Sequence, residues 1–171
     1  MSHFHDTAPS AWVERWAQHI RPGGLVLDLA CGGGRHSRLL ARMGFEVRAV
    51  DRDPALFVDR PDRVDLVAAD LENAPWPFEG ERFDGIVVTN YLHRGLLPRL
   101  AASLEPGGLL VYETFARGNE RFGKPSNPDY LLAPGELLDA VRGKLRVLAF
   151  EDIVVEAPRP AAIQRIAARN A

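Results

Sequence analysis

The sequence lacks several features that would narrow its class at once. Cys31 is the only cysteine among 171 residues, so no internal disulfide and no C-x-x-C metal or redox pair can form. No uninterrupted apolar run exceeds four residues, which is far too short for a transmembrane helix. Residues 1–6 show no basic-then-apolar signal pattern. We therefore expect a cytoplasmic protein with no membrane partner.

Neither sign of charge dominates the chain. Its 21 basic and 23 acidic side chains give a formal net charge of −2, so no electrostatic feature predicts nucleic acid as a partner. With 46% hydrophobic residues, the chain has the size and composition of one globular domain. We predict a single domain over residues 1–171, a monomer or homodimer, in which residues 1–22 form an N-terminal helical segment that packs on the core.

Glycine- and proline-rich stops divide the chain into alternating strand-like and helix-like segments. Strands are predicted over 25–29, 45–50, 64–69, 83–89, 108–115, 145–155 and 161–168, although the last segment tolerates a helix equally well. Helices are predicted from the cap Ser10, after Gly34, over 96–104 and from Pro134. Such alternation favours a mostly parallel sheet with helices on both faces, which binds ligands at the carboxyl ends of its strands.

The strongest chemical signal is the segment VLDLACGGGRH at residues 26–36. A buried strand ends near the acid Asp28, and the triple glycine at 32–34 then opens a helix. Glycine allows positive φ and lets a ligand approach the bare backbone. A dinucleotide-binding G-x-G-x-x-G loop needs a third glycine where this chain has Ser37, and the phosphate loop G-x-x-x-x-G-K-[ST] is absent. The acid would repel a diphosphate and would suit a cationic ligand.

This pattern resembles the first motif of the class I S-adenosylmethionine-dependent methyltransferases, an acid followed by a G-x-G turn. Asp51 stands where that family places an acid for the ribose hydroxyls, and residues 68–72 match the loop whose Asp accepts from the adenine amino group. Residues 131–137 are similar to a stretch of the small bacterial tellurite-resistance type. The resemblance implies an α/β, Rossmann-like methyltransferase fold with a mostly parallel seven-stranded sheet and an antiparallel strand near the C-terminus.

The same resemblance implies S-adenosylmethionine as cofactor, S-adenosylhomocysteine as product and methyl transfer by in-line displacement. The cofactor-binding residues that it implies lie at or after the ends of the first four strands: Asp28, Ala30, Cys31, Gly32, Gly33, Gly34, Asp51, Arg52, Asp70, Leu71 and Asn90. No metal site is expected. Cys31 is expected to be a small loop residue, because nothing marks the nearby base that a nucleophilic cysteine needs.

The segment after the fourth strand supplies the candidate catalytic residues Tyr91, His93 and Arg94. His93 could act as a base near neutral pH. The Asn-Pro-Pro-Tyr motif typical of methyltransferases that act on amide or amino nitrogens is absent here. The long polar connection over 116–130 is typical of a lid, and its cationic side chains could attract an anionic acceptor. Since the family's catalytic core alone fills about this length, we predict a small-molecule acceptor.

Two other functions stay open. An NAD(P)-dependent oxidoreductase would use the acid at the second strand, although the third glycine is missing. A non-catalytic module could bind S-adenosylmethionine or S-adenosylhomocysteine without transferring the methyl group.

Overall fold

Short apolar runs form the strands, and one-sided apolar stripes form the helices. The computed structural model describes residues 8–171, so the part of the N-terminal prediction that concerns residues 1–7 lies outside it. The helices are α1 (Ala11–Ala17), α2 (Arg35–Arg42), α3 (Leu97–Ala102) and α4 (Glu136–Val141). The strands are β1 (Leu25–Leu29), β2 (Glu46–Asp51), β3 (Val64–Ala68), β4 (Phe83–Thr89), β5 (Leu104–Phe115), β6 (Arg146–Val155) and β7 (Ala161–Arg169).

All of these strands belong to one seven-stranded sheet with the order β3-β2-β1-β4-β5-β7-β6. The first five strands pair in parallel, and β7 runs antiparallel to both β5 and β6. The mostly parallel α/β sheet with an antiparallel strand near the C-terminus is thus confirmed. The last segment, which tolerated either structure, is a strand, and its Ile166 and Ala167 are fully buried.

Each face of the sheet buries its own apolar cluster. Along β1, Val26 packs on the face covered by α1 and α2, whereas Leu27 and Leu29 pack on the face covered by α3 and α4. A strand that is buried on both faces is apolar along most of its length, and Asp28 is the one polar residue in 25–29. The sheet therefore has helices on both faces. Because β1 to β5 are parallel, their carboxyl ends lie along the same edge of the sheet.

The helix α1 begins where the sequence predicts its cap. The Ser10 hydroxyl accepts from the N–H groups of Trp12 and Val13. It also donates to Glu113 Oε1 over 2.8 Å, while the Ser10 N–H donates to His36 Nε2 over 2.9 Å. Both partners lie near the carboxyl ends of strands or the start of α2. The cap therefore fastens α1 to the same edge of the sheet that carries the strand ends.

Two boundaries differ from the sequence prediction. The strand β5 begins at Leu104 and not at residue 108, because the register with β4 shifts after the Phe83–Leu104 pair and the chain bends at Gly107 without leaving the sheet. The helix α4 begins at Glu136 and not at Pro134, because Gly135 adopts a left-handed conformation with φ +72° that interrupts helical continuity. Within residues 8–171, no helix is both long and apolar enough to cross a membrane.

Candidate functional site

The carboxyl edge of the parallel strands borders a cavity of about 630 Å³, a size typical of small-molecule sites. Seven of the residues that the sequence places at a site line it: Ala30, Asp51, Arg52, Asp70, Leu71, Asn90 and Tyr91. The remaining lining residues are Ala69, Glu72, Leu92, Thr114, Phe115, Pro125 and Tyr130. The topology therefore gathers the ends of several strands around one cavity, as expected for an α/β sheet.

Two residues at this cavity have an uncommon backbone conformation. Ala30, just after β1, has φ +55°, and Asn90, just after β4, has φ +52°. A left-handed conformation costs a non-glycine residue about 1–2 kcal/mol. The strands β1 and β4 are neighbours, so the two conformations lie side by side at the cavity. Strain that concentrates where a cavity opens is typical of a functional site.

Asp28 lies beneath the glycine loop and is only 2% exposed. The Ser37 hydroxyl donates to Asp28 Oδ2 over 2.6 Å. Burial raises the pKa of this carboxyl from 3.8 to about 6, against the opposing effect of the bonds from Ser37. Ser37 stands where a dinucleotide-binding loop has its third glycine. Its hydrogen bond to Asp28 explains why this chain has a serine at that position. Among residues 8–171, those that line the cavity do not include Asp28, so its contact with the cofactor stays a prediction.

The first and last glycines of the loop differ in the space around them. Gly32 has φ +54°, and a Cβ built there would meet no atom within 4 Å. Gly34 has φ +85°, and a Cβ there would lie 2.4 Å from the Phe57 ring. The thiol of Cys31 is held neutral, since burial raises its pKa and the charges of Asp28 and Asp51 raise it further. Bare backbone therefore faces open space at Gly32, and the loop offers no thiolate.

Asp51 and Asp70 each fix a loop as well as lining the cavity. Asp51 accepts from the Gly32 N–H through Oδ2 and from the Asp53 N–H through Oδ1, both over 2.9 Å. Asp70 accepts from the Glu72 N–H over 3.0 Å and from the Asn73 side chain over 3.0 Å. The bond from Asn73 is the main reason why the pKa of Asp70 is lowered. The β2 acid thus connects directly to the glycine loop.

The charge of the cavity favours a cation. Three carboxylates line it, those of Asp51, Asp70 and Glu72, against the single guanidinium of Arg52. Asp28 adds a further carboxyl under the loop. A diphosphate would enter a negative field here, whereas a sulfonium compound with a nucleoside would enter a favourable one. The residues therefore fit S-adenosylmethionine and do not fit a dinucleotide.

Tyr91 lines the cavity from the start of the loop that follows β4. Burial raises the pKa of its phenol to about 12, and the nearby Glu72 and Asp70 add to the rise. Its backbone carbonyl accepts from the buried Tyr112 hydroxyl over 2.6 Å. Tyr91 therefore stays protonated at neutral pH and can serve as an aromatic wall or a hydrogen-bond donor, but not as a base.

His93 and Arg94 are placed differently from the sequence prediction. Among residues 8–171, those that line the cavity include neither of them. The His93 ring packs against Gly95, with Nε2 3.2 Å from where a Cβ of that glycine would lie. The Arg94 guanidinium binds Glu136 and two backbone carbonyls within the protein. The structure therefore brings only Tyr91 of the three candidate catalytic residues to the cavity wall.

The sequence prediction marked the connection over 116–130 as a lid but did not name the aromatic and proline residues that line the cavity there. Phe115, Pro125 and Tyr130 line it from β5 and from the connection to α4. The cations of that connection were expected to attract an anionic acceptor, yet Arg121 donates to the Gly118 carbonyl and lies over Phe122. The sequence did contain a signal for this wall of the cavity, namely aromatic and proline residues within a Gly- and Pro-rich loop. Apolar side chains in such a loop are expected to pack against another part of the protein or a ligand.

A second cavity, of about 800 Å³, lies at the opposite edge of the sheet. Its lining includes Arg21, Asp84 and Arg169, but these cations are engaged. Arg21 binds Asp84 through two nitrogens, and Arg169 donates to the carbonyls of Gly107 and His19. This edge carries the amino ends of β1 and β4, which is not where parallel sheets bind ligands. The cavity at the carboxyl edge is therefore the candidate site.

Comparison of the sequence with known proteins finds methyltransferases among its relatives. A family described as "Methyltransferase domain" matches residues 26–108. The ubiquinone biosynthesis O-methyltransferase of Azorhizobium caulinodans is 32% identical over 118 residues, which are 62% of this chain and 47% of that protein. The ribosomal RNA small subunit methyltransferase H of Nostoc punctiforme is 35% identical over 103 residues, 50% of this chain and 34% of that protein. The chain thus spans less than half the length of these curated relatives.

Solved structures share the fold. TehB from Haemophilus influenzae superposes with a TM-score of 0.81 at 20% identity, covering 98% of this chain and 64% of that one. The 1,6-didemethyltoxoflavin-N1-methyltransferase of Burkholderia thailandensis, solved with S-adenosylhomocysteine, superposes with a TM-score of 0.65 at 23% identity, covering 94% of this chain and 76% of that one. Residues 26–108 therefore match a methyltransferase domain, and the chain has the fold of these solved structures.

Proposed function

We propose that this chain transfers the methyl group of S-adenosylmethionine to a small, uncharged acceptor with an apolar or aromatic body. The observation that carries the proposal is the composition of one cavity. Its carboxylates lie at the ends of β2 and β3, and its aromatic side chains, Tyr91, Phe115 and Tyr130, come from β4, β5 and the connection after β5. One end thus suits a cationic nucleoside and the other suits a ring or an apolar group.

The residues of this chain are expected to bind and align the reactants. When bound, the cofactor supplies a methyl group on a sulfonium, which is already an excellent leaving group. Asp51 would accept from the ribose hydroxyls, Asp70 and Leu71 would hold the adenine, and the open backbone at Gly32 would allow close approach. Alignment for in-line displacement can contribute about 7–11 kcal/mol to the barrier reduction.

A small acceptor is favoured over RNA by the charge of the cavity. An RNA substrate needs cations along its path, and its affinity comes largely from phosphate contacts. Here one guanidinium, that of Arg52, faces three carboxylates in the cavity lining. The same charge disfavours oxyanions and polycarboxylates, which would also be repelled.

An acceptor panel tests this proposal. Labelled S-adenosylmethionine is offered with catechol, thiophenol, aniline, selenite, tellurite and unmodified RNA. We expect label on an uncharged aromatic compound, with turnover reduced in Tyr91→Ala more than in the control Tyr130→Phe. Label on RNA or on an oxyanion alone would contradict the small, uncharged acceptor, and tight cofactor binding with no turnover would favour a non-catalytic module.

Asp51→Ala tests the cofactor end separately. The variant removes the acceptor for the Gly32 and Asp53 N–H groups and the expected ribose contact. A lost charged hydrogen bond is worth about 1–3 kcal/mol, so we expect the Kd for S-adenosylhomocysteine to rise about 10- to 100-fold. Calorimetry measures it, with the exposed Asp65→Ala as control. Equal affinities of the two variants would show that Asp51 does not contact the cofactor.

A further inference from the structure

Arg94 uses its guanidinium to join two segments that are distant in sequence. Its Nε and Nη2 donate to the two carboxylate oxygens of Glu136 over 2.9 and 3.1 Å. Its Nη1 donates to the Asp129 carbonyl and Nη2 donates to the Leu131 carbonyl, both over 2.9 Å. One side chain from the loop after β4 thus holds the start of α4 and the end of the connection that precedes it.

The two carbonyls that Arg94 holds are those on either side of Tyr130. Tyr130 lines the cavity and is 54% exposed, so few contacts of its own fix its position. The residues that follow are anchored, since Leu131 and Leu132 are buried and the Leu132 N–H donates to the Phe115 carbonyl. The backbone at Tyr130 is therefore held by Arg94 on both sides, by the turn in which its own N–H donates to the Asn127 carbonyl, and by this buried pair.

We infer that Arg94 is a positioning residue of the acceptor site, acting through Tyr130 and not through contact with the acceptor. The inference rests on the proposed function, because it assigns Tyr130 to the acceptor end of the cavity. Arginine suits this task and lysine does not, because its rigid fork can bind a carboxylate with two nitrogens and still reach the carbonyls on both sides of Tyr130. Both tyrosine walls then depend on the loop after β4, which also carries Tyr91.

Hydrogen exchange tests the clamp without any acceptor. The proteins are wild type, Arg94→Met, Arg94→Lys and the control Arg142→Met, which breaks an exposed ion pair with Asp139 on the neighbouring turn. In Arg94→Met, we expect exchange of the amides in residues 127–132 to accelerate at least about tenfold, with little change in β1 and β4. Arg94→Lys should fall between Arg94→Met and wild type. Unchanged exchange in Arg94→Met would overturn the inference.

Kinetics with the panel compound of highest turnover separate positioning from direct contact. We expect Arg94→Met and Tyr130→Ala each to raise the acceptor KM about tenfold, with kcat changed less than about threefold and the Kd for S-adenosylhomocysteine unchanged. The double variant should lose no more than Tyr130→Ala alone. Additive losses would place Arg94 against the acceptor and overturn the inference. If no compound in the panel is methylated, the acceptor proposal fails while the exchange measurement still decides the clamp.

Discussion

Gly34→Ala is expected to lower the free energy of unfolding by about 2–4 kcal/mol. Gly34 precedes α2 with φ +85°, and a Cβ there would lie 2.4 Å from the Phe57 ring. The ring cannot move freely, because Phe57 is buried and the Arg38 guanidinium lies 4.7 Å from the ring centroid. The added methyl group therefore costs both backbone strain and overpacking.

Gly33→Ala is the matched control. A Cβ at Gly33 would meet only the Leu56 carbonyl, at an ordinary 3.7 Å. We expect the control to stay within about 1 kcal/mol of wild type. Urea unfolding of the two variants and of wild type measures the difference in stability. Equal stabilities of the two variants would show that Phe57 does not pack closely against Gly34.

Asp28→Asn is expected to stabilise the protein at neutral pH. Because burial raises the pKa of this carboxyl to about 6, the folded state binds its proton more tightly than the unfolded chain, whose value is 3.8. The contribution of this carboxyl to the free energy of unfolding is therefore fully present below about pH 4 and is lost as the pH rises through about 6. The difference in pKa corresponds to a loss of about 2–3 kcal/mol in the free energy of unfolding at pH 7. An uncharged amide in the same place would not cause this loss.

The measurement is the stability difference between Asp28→Asn and wild type from pH 4 to pH 7. We expect this difference to grow with pH by about 2–3 kcal/mol. The variant should also bind S-adenosylmethionine less well, because a negative charge beneath the loop is lost. A difference that falls as the pH rises would mean that burial does not penalise this carboxylate.

The strands and the site edge were accessible to sequence reasoning for a physical reason. A strand that is buried on both faces reads as an apolar run, and a polar residue marks its end. Asp51, Asp70 and Asn90 each stand at or just after the end of a strand, and all three line the cavity. Because parallel strands end at the same edge, local patterns were enough to bring these residues together.

What the sequence prediction missed depends on contacts between distant residues. Arg94 follows Tyr91 closely, and its position alone suggested an acceptor contact, whereas its partner Glu136 lies 42 residues further along the chain. Ser37 similarly appeared only as a missing glycine until its bond to Asp28 was seen. Tyr130 lies in the connection that the sequence marked as a lid, but because that connection has no periodic structure, the sequence did not single out Tyr130 as a lining residue.

Calorimetry with S-adenosylmethionine, S-adenosylhomocysteine and NADH tests most directly whether the negative cavity beside the glycine loop holds a sulfonium nucleoside. We expect both sulfur compounds to bind at one site. We also expect the variant Asp28→Asn to bind the cationic compound less tightly than wild type does. Binding of NADH alone would contradict this account, since a diphosphate would then occupy a cavity lined by three carboxylates and one guanidinium.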